Sequence, residues 1–302
     1  MFKLCVGLEI HMQLLCQSKL FCSCSASFSS APNRHICPIC LAYPGAMPSL
    51  NHQAVVLAVR MGSALRAQIC NTSAFDRKCY FYPDMPKAYQ ITQYRHPLIQ
   101  GGYLDLDHTR IRIREAHLEE DSARTIHYPD KGEIGLDFNR AGLALLEIVT
   151  EADFCDASQA SDFLKKLHRM AIDLGVSKGK MEEGSFRFDV NISIIPLTGK
   201  TQGRVEIKNL NSFRLLEKAI NYEKIRQMEL IENGGMVASE TRSFDASLGI
   251  TVPLRKKDSI NDYRFLPEPD LGTLHISNDE IEAYSRNEAL KDSCLEQSSN
   301  II

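Results

Sequence analysis

Four cysteines in two close pairs, Cys22-x-Cys24 and Cys37-x-x-Cys40, follow directly on a segment that carries Glu9 and His11. Each pair can offer two thiolates from one tight turn, and the intervening loop lets the turns face each other around a single tetrahedral zinc ion. Such a knuckle fixes the course of the N-terminal region before other packing is decided. Disulfide pairing and a chance cluster are the competing readings. Against disulfides, Cys5, Cys16, Cys70, Cys79, Cys155 and Cys294 are scattered, and a chain of 302 residues that is 44% hydrophobic has core enough without covalent staples. His35 lies in the loop as an alternative ligand, but four sulfurs already complete the set, so it reads as an ordinary loop histidine.

The formal charge of −3 gives no global basic field. Any nucleic acid must then be met by a local patch or through a partner. No uninterrupted apolar span of membrane length is present, and the early hydrophobic run is broken by Glu9 and His11. The expected location is the cytoplasm, or an organellar matrix if the source is eukaryotic.

Short strands alternate with a few clear helices. Residues 4–10 read as a strand leading into the knuckle, and a helix is predicted over about 52–66 with Ser49 or Asn51 as N-cap. Residues 103–107 and 110–117 suit a hairpin in which Ile111 and Ile113 alternate with Arg110, Arg112 and Arg114. Its basic face is either a solvated sheet surface or a surface that meets phosphate. Helices are predicted over about 157–174, ending at Gly175, and over about 213–232, ending at Gly234-Gly235. Between them Ser185 to Ile194 alternates with period two, as a strand does. After about 278 the chain is polar and helical, fraying into Ser298-Ser299-Asn300. Without a regular crossover rhythm, the mixture predicts an α+β fold built on antiparallel sheet.

Carboxylates recur at the ends of these strands. Glu9 and His11 share one face of their strand. Glu119, Glu120 and Asp121 follow the Ile/Arg strand, and Asp137, Asn139, Arg140 and Glu147 surround Ala141-Gly142. Glu182 and Glu183 open the strand that bears Arg187 and Asp189. Any one group alone is a solvated charge run. Together, interleaved with arginine, they suit an oxygen-rich magnesium site with phosphate clamps. No G-x-x-x-x-G-K-[ST] loop, G-x-G-x-x-G turn or G-x-S-x-G elbow occurs, so nucleotide would be bound by sheet, carboxylates and metal. Nor does any cysteine outside the cluster stand out as a nucleophile.

Nine ordered motifs resemble one family. They are Val6-Gly7-Leu8-Glu9-Ile10-His11, the knuckle ending Cys37-Pro38-Ile39-Cys40, Phe75-Asp76-Arg77-Lys78 and Phe81-Tyr82-Pro83-Asp84-Met85-Pro86-Lys87. His117-Leu118-Glu119-Glu120-Asp121, Asn139-Arg140-Ala141-Gly142 and Met181-Glu182-Glu183-Gly184-Ser185 continue the series. Glu206-Ile207-Lys208-Asn209-Leu210-Asn211-Ser212-Phe213 and the stretch from Asp262 to Asp270 complete it. Over about residues 4–275 these resemble the B subunits of the aspartyl/glutamyl-tRNA amidotransferases.

The resemblance implies an antiparallel-sheet, cradle-like catalytic domain over 1–277, with the zinc knuckle at 22–40 and flanking helices. Residues 278–302 would open a truncated helical extension. It also implies ATP and Mg2+ as well as Zn2+. The implied partners are a glutamine amidase (the A subunit) that supplies ammonia, the small C subunit, and misacylated Glu-tRNA(Gln) or Asp-tRNA(Asn) as acceptor. The implied magnesium ligands are Glu9, His11, Glu120 and Glu147, with Glu119 the alternative to Glu120. Glu182 and Glu183 would hold a second metal or position ammonia. Arg140, Arg187, Lys208 and Arg124 would meet phosphate; each has a surface ion pair as its plain alternative. Two departures stand out. Asp121-Ser122-Ala123-Arg124 replaces the family's usual Asp-Ala-Gly-Lys, exchanging an ammonium for a planar guanidinium. The chain also stops soon after Pro269-Asp270, where family members continue into domains that grip the tRNA body. A noncatalytic scaffold and a kinase for a small carboxylic acid are the alternative functions.

Overall fold

A computed structural model describes residues 2–29, 31–107, 109–196, 202–256 and 263–286. Asp262 of the last motif and the expected fraying at Ser298-Ser299-Asn300 lie outside the described residues. The fold is mixed α+β. Its centre is a 10-stranded sheet made, in chain order, of β1 (Phe2–Gln13), β2 (Gln68–Ile69), β3 (Ile99–Gln100), β4 (Tyr103–Leu106) and β5 (Thr109–Glu120). The series continues with β6 (Ala144–Thr150), β7 (Phe186–Pro196), β8 (Val205–Leu210), β9 (Glu240–Asp245) and β10 (Ile250–Lys256). The spatial order is β10-β9-β8-β7-β1-β6-β5-β3-β2, with β4 also on β5. All neighbours are antiparallel except β8 and β9.

Four α-helices occur among the described residues: α1 (His52–Ala64), α2 (Ala157–Asp173), α3 (Phe213–Glu232) and α4 (Asn278–Ser285). Each starts where a side chain accepts a hydrogen bond from an otherwise unpaired N–H of the first turn. Asn51, not Ser49, caps α1, Asp156 caps α2, Ser212 caps α3, and Ser277 with Glu280 forms a reciprocal capping box on α4.

The period-two alternation gives the sheet two unlike faces. On β1 the residues Leu4, Val6, Leu8, Ile10 and Met12 are buried, as are Phe186, Phe188, Val190, Ile192 and Ile194 on β7. Helices α2 and α3 pack on this apolar side: Phe163 meets Phe154 edge-on, and Phe213 stacks on Phe188 with ring centroids 5.9 Å apart. The opposite side of the same strands carries Glu9, His11, Arg187, Asp189 and Asn191. Burying each large aliphatic side chain contributes roughly 1.5–3 kcal/mol, which anchors the strands that present the polar row.

The expected basic stripe is held in surface ion pairs. Arg110 pairs with Asp105 at 2.8 Å, Arg112 with Asp153 at 2.7 Å, and Arg114 with Glu151 at 3.3 Å. The plain reading of that stripe is the one the geometry matches.

Ile10 lies fully buried on the central strand. Ile10→Ala should lower stability by roughly 2–5 kcal/mol through lost burial and a residual cavity. Urea denaturation of the zinc-loaded chain checks this, and a loss below about 1 kcal/mol would contradict the packing described.

Candidate active site and metal centre

Cross-strand register builds the site. His11 on β1 lies opposite Glu147 on β6 and Arg187 on β7, and Glu147 lies opposite His117 on β5. One row across four strands therefore reads His117, Glu147, His11, Arg187. Glu119 stands one step along β5 on the same face, with its carboxylate 3.4 Å from His11 Nε2. Glu147 is 3.6 Å from His11 Nε2 and 3.3 Å from His117 Nε2.

Glu120, expected at the metal, is not in this group. A bulge explains the change. Thr150 pairs with Ile113 but Val149 pairs with Glu115, so Arg114 is an extra residue in β5. Ile111 and Ile113 face the core before the bulge; after it Ala116 and Leu118 do, and Glu120 shares their parity. The Glu120 carboxylate instead accepts from Lys87 Nζ at 2.5 Å and from the Ile91 N–H at 2.9 Å. Glu119, the alternative that the sequence offers, occupies the place beside His11 and Glu147.

Glu9 is likewise in a neighbouring group rather than with His11. Its carboxylate, with those of Asp189 and Glu206, forms a cluster of oxygens within 4.8 Å of one another. Asn191 donates to Glu9 at 2.7 Å, and Lys208 Nζ lies 2.6 Å from Asp189 and 3.0 Å from Glu206. Lys208 thus already supplies a cation to this cluster. Burial, then Glu147 and Glu206, raises the Glu9 carboxyl above its ordinary range.

The Glu119–Glu147 pair has unequal members. Burial, reinforced by the charge of Glu147, pushes Glu119 up to about 8. Burial also opposes ionisation of Glu147, but His117 and His11 outweigh it and hold that carboxyl well below the usual range. Burial lowers His11 despite the pull of Glu147, keeping its imidazole neutral and able to coordinate or orient water. For His117, burial is outweighed by Glu147, and the net shift is upward. One buried and one partly buried carboxylate with a neutral imidazole, their ligand atoms within 4.8 Å of one another, suit a divalent cation. His11, Glu119 and Glu147 would hold it, and the charge that Glu119 otherwise covers with a proton would be covered by the ion.

His11 and Arg187 of this row face a cavity of about 1230 Å3. His11, Glu119, Arg124, Arg140, Glu182, Glu183, Arg187 and Lys208 all line it. Glu9, Glu120 and Glu147 do not reach its wall. Two residues to which the sequence assigned no role organise the basic side. Asp121 accepts from Arg187 at 2.9 Å and lies 3.6 Å from Arg140 Nε. Lys78 also lines the cavity, and its charge favours ionisation of Glu119 and Glu147. Arg140 donates to the carbonyls of Ser122 and Ala123, each at 2.9 Å. Arg187 Nε is buried without a partner. Glu183 is paired with Lys180 at 2.7 Å.

The cysteines converge as their spacing predicts. The sulfurs of Cys22, Cys24, Cys37 and Cys40 lie within 4.8 Å of one another. Zinc–thiolate bonds of about 2.3 Å imply sulfur separations near about 3.8 Å, so closure needs about 1 Å at most. Cys40 is drawn down to about 4 by the Cys22 thiol, the Cys37 N–H and Lys19, against the effect of burial. A thiolate is therefore favoured where zinc would need one. His35 instead hydrogen-bonds the Ser27 carbonyl at 3.1 Å.

A model of the GatB/GatE catalytic domain matches residues 4–282. The chain belongs to that family. It is 48% identical over 290 residues to the B subunit of aspartyl/glutamyl-tRNA(Asn/Gln) amidotransferase from Myxococcus xanthus, covering 94% of this chain and 60% of the relative. The B subunits of the same name from Geobacter sulfurreducens and Lawsonia intracellularis are 48% and 46% identical, over 92% and 94% of this chain and 60% of each relative. The chain thus spans about 60% of the length of these curated relatives.

Cysteine removal and pH test the two centres separately. Cys37→Ser or Cys40→Ser should lower bound zinc, measured by elemental analysis, and lower the melting temperature; full zinc with unchanged melting would remove these ligands. For Glu119, the raised carboxyl contributes stability that is complete below the ordinary value of 4.5 and lost as pH rises through about 8. Cation binding has the opposite slope because it displaces the proton. Mn2+ affinity should therefore rise by up to about 10-fold per pH unit below about pH 8 and flatten above it. Glu119→Gln should weaken Mn2+ binding and flatten the profile, whereas Glu120→Gln should do neither.

Proposed function

We propose that this chain is part of a glutamine-dependent, ATP-hydrolysing tRNA amidotransferase, with Glu-tRNA(Gln), Asp-tRNA(Asn) or both as acceptor. The convergence of a histidine–carboxylate centre with Arg140, Arg187 and Lys208 on one cavity carries the reading. Its class comes from 46–48% identity to amidotransferase B subunits. We assign the catalytic unit to 1–277 and the beginning of a helical extension to the segment that α4 opens at Asn278; the rest of the expected extension, 287–302, lies outside the described residues.

The chemistry follows from the acceptor. A carboxylate is anionic and resists ammonia, so it needs a leaving group. Its oxygen attacks the γ-phosphorus of ATP, the bond to ADP breaks, and an acyl phosphate forms. Ammonia then attacks the acyl carbon, phosphate leaves, and nitrogen gives up a proton. Arg140 and Arg187 bind phosphate oxygens from the cavity wall. Arg124 adds charge at the cavity wall, and Lys208 fixes Asp189 and Glu206 beside it. Glu182 and Glu183 position ammonia and receive its proton. Magnesium held by Glu119, Glu147 and His11 would neutralise charge on the transferred phosphoryl group. Zinc at the four cysteines is structural.

Ammonia would come from a partner glutamine amidase, the A subunit, with the small C subunit completing the assembly. No described helix is long and apolar enough to cross a membrane; we place the complex in the cytoplasm, or in an organellar matrix in a eukaryotic source.

Reconstitution with matching A and C subunits, followed by ATP-dependent conversion of Glu-tRNA(Gln) and Asp-tRNA(Asn), tests the reading. Conversion is expected, as is its loss by at least about 100-fold in Glu119→Gln and Glu147→Gln while partner glutaminase activity persists. An intact, zinc-loaded complex that converts neither tRNA, beside a working full-length control, would replace the reading with that of a noncatalytic scaffold.

A further inference from the structure

Lys19 is fully buried, although it carries an ammonium group. Such a group is tolerated in an interior only against strong acceptors. Its Nζ lies 3.5 Å from Cys40 Sγ and donates to the Phe138 carbonyl at 3.0 Å. It therefore joins the sulfur cluster to the segment that carries Arg140. A divalent ion held by four thiolates keeps a net negative charge, so metal loading strengthens this ammonium's hold on Cys40.

The same segment is fastened to the cysteine loop at further points. Asn139 Oδ1 accepts from the N–H groups of Arg34 and His35 at 2.7 and 2.8 Å. Asp137 Oδ1 accepts from Asn33 N–H at 2.9 Å, and Asn33 Oδ1 accepts from Phe138 N–H at 2.7 Å. Gly142 closes the turn at φ +85°, and an added Cβ there would face Lys19 Cδ at 3.5 Å and Cys40 Cβ at 3.7 Å. Between these anchors Arg140 reaches the other way, to the carbonyls of Ser122, on the cavity wall, and of Ala123.

We propose that Lys19 is a positioning residue that couples the cysteine cluster to Arg140, making metal occupancy at the sulfurs set the geometry of the cavity's basic wall. The knuckle is then more than a local staple. Losing its metal frees Cys40, slackens the hold of Lys19 on Phe138, and lets the turn from 137 to 142 move. The affinity consequence rests on the reading of the cavity as an Mg·ATP site; the coupling itself does not.

Hydrogen exchange on the full zinc-loaded chain tests the coupling without any cavity ligand, with Mg·ATP binding and zinc release measured in parallel. Withdrawing zinc from the unaltered chain with a zinc-selective chelator should speed exchange in 137–143 about 10-fold or more, while β7 keeps its protection. K19M should speed exchange in that turn with zinc still bound, release zinc about 10-fold faster, and weaken Mg·ATP binding about 10-fold. K19R should restore all three toward the original values. Unchanged exchange in 137–143 after zinc withdrawal overturns the proposal, as does uniform loosening of the whole chain. Zinc loss in K19M with an undisturbed turn does the same. If K19M fails to fold, chelation of the unaltered chain and K19R decide the outcome. If the unaltered chain binds no Mg·ATP, the nucleotide reading falls, while the exchange measurements still decide the role of Lys19.

Discussion

Everything at the site depends on a sheet whose central strands have one apolar and one ionisable face. Ile10 and Met12 bury in the core, so His11 must emerge on the other side, opposite Glu147 and Arg187. The hydrophobic alternation that holds β1, β6 and β7 together is therefore what aligns imidazole, carboxylate and guanidinium. A slip of one residue in register would carry the polar row into the core. The cost of burying those charges opposes the slip, so packing and chemistry specify the same register.

Local features were legible because they depend on near neighbours. Asn51, one of the two caps expected for α1, announces its helix through a hydrogen bond that spans two residues, and α2 and α3 were legible from their apolar spacing and the glycines that stop them. The cysteine pairs announce their convergence through two tight turns. The choice between Glu119 and Glu120 was different in kind. Carrying the Ile111–Ile113 alternation forward puts Glu120 on the polar face; the extra residue at Arg114 reverses that parity. Arginine gives no local signal of a bulge, and only the pairing with Val149 and Thr150 reveals it. Asp121 was similarly hidden, since its value lies in two arginines that come from other strands and turns.

The acidic centres manage their charge in different ways. Glu9, Asp189 and Glu206 have the ammonium of Lys208 among them, raised above its usual value by Asp189 and Glu206 despite burial. That group is balanced by the chain itself. Glu119 and Glu147 have two imidazoles nearby, one with its protonation disfavoured by burial, and the balance there is met by a proton on Glu119. A site that must hold a proton near neutral pH is one where a cation can replace it without further rearrangement of charge. This difference favours the His11 group over the Glu9 group as the metal centre.

The basic wall has the converse constraint. A phosphate needs donors that are fixed yet not fully consumed. Arg187 meets both needs, since Asp121 engages only Nη2 and the side chain still lines the cavity. Arg140 spends Nε and Nη2 on backbone carbonyls, which fix its plane at the expense of donors. A phosphate meeting both groups would thus draw its directed hydrogen bond first from Arg187, with Arg140 contributing placement and charge. Asp121 holds the two guanidinium groups beside each other before any anion arrives, so like-charge repulsion between them is offset in advance. Removing that carboxylate would leave two cations without their common counterion, and the wall would open even though both arginines remained in the chain.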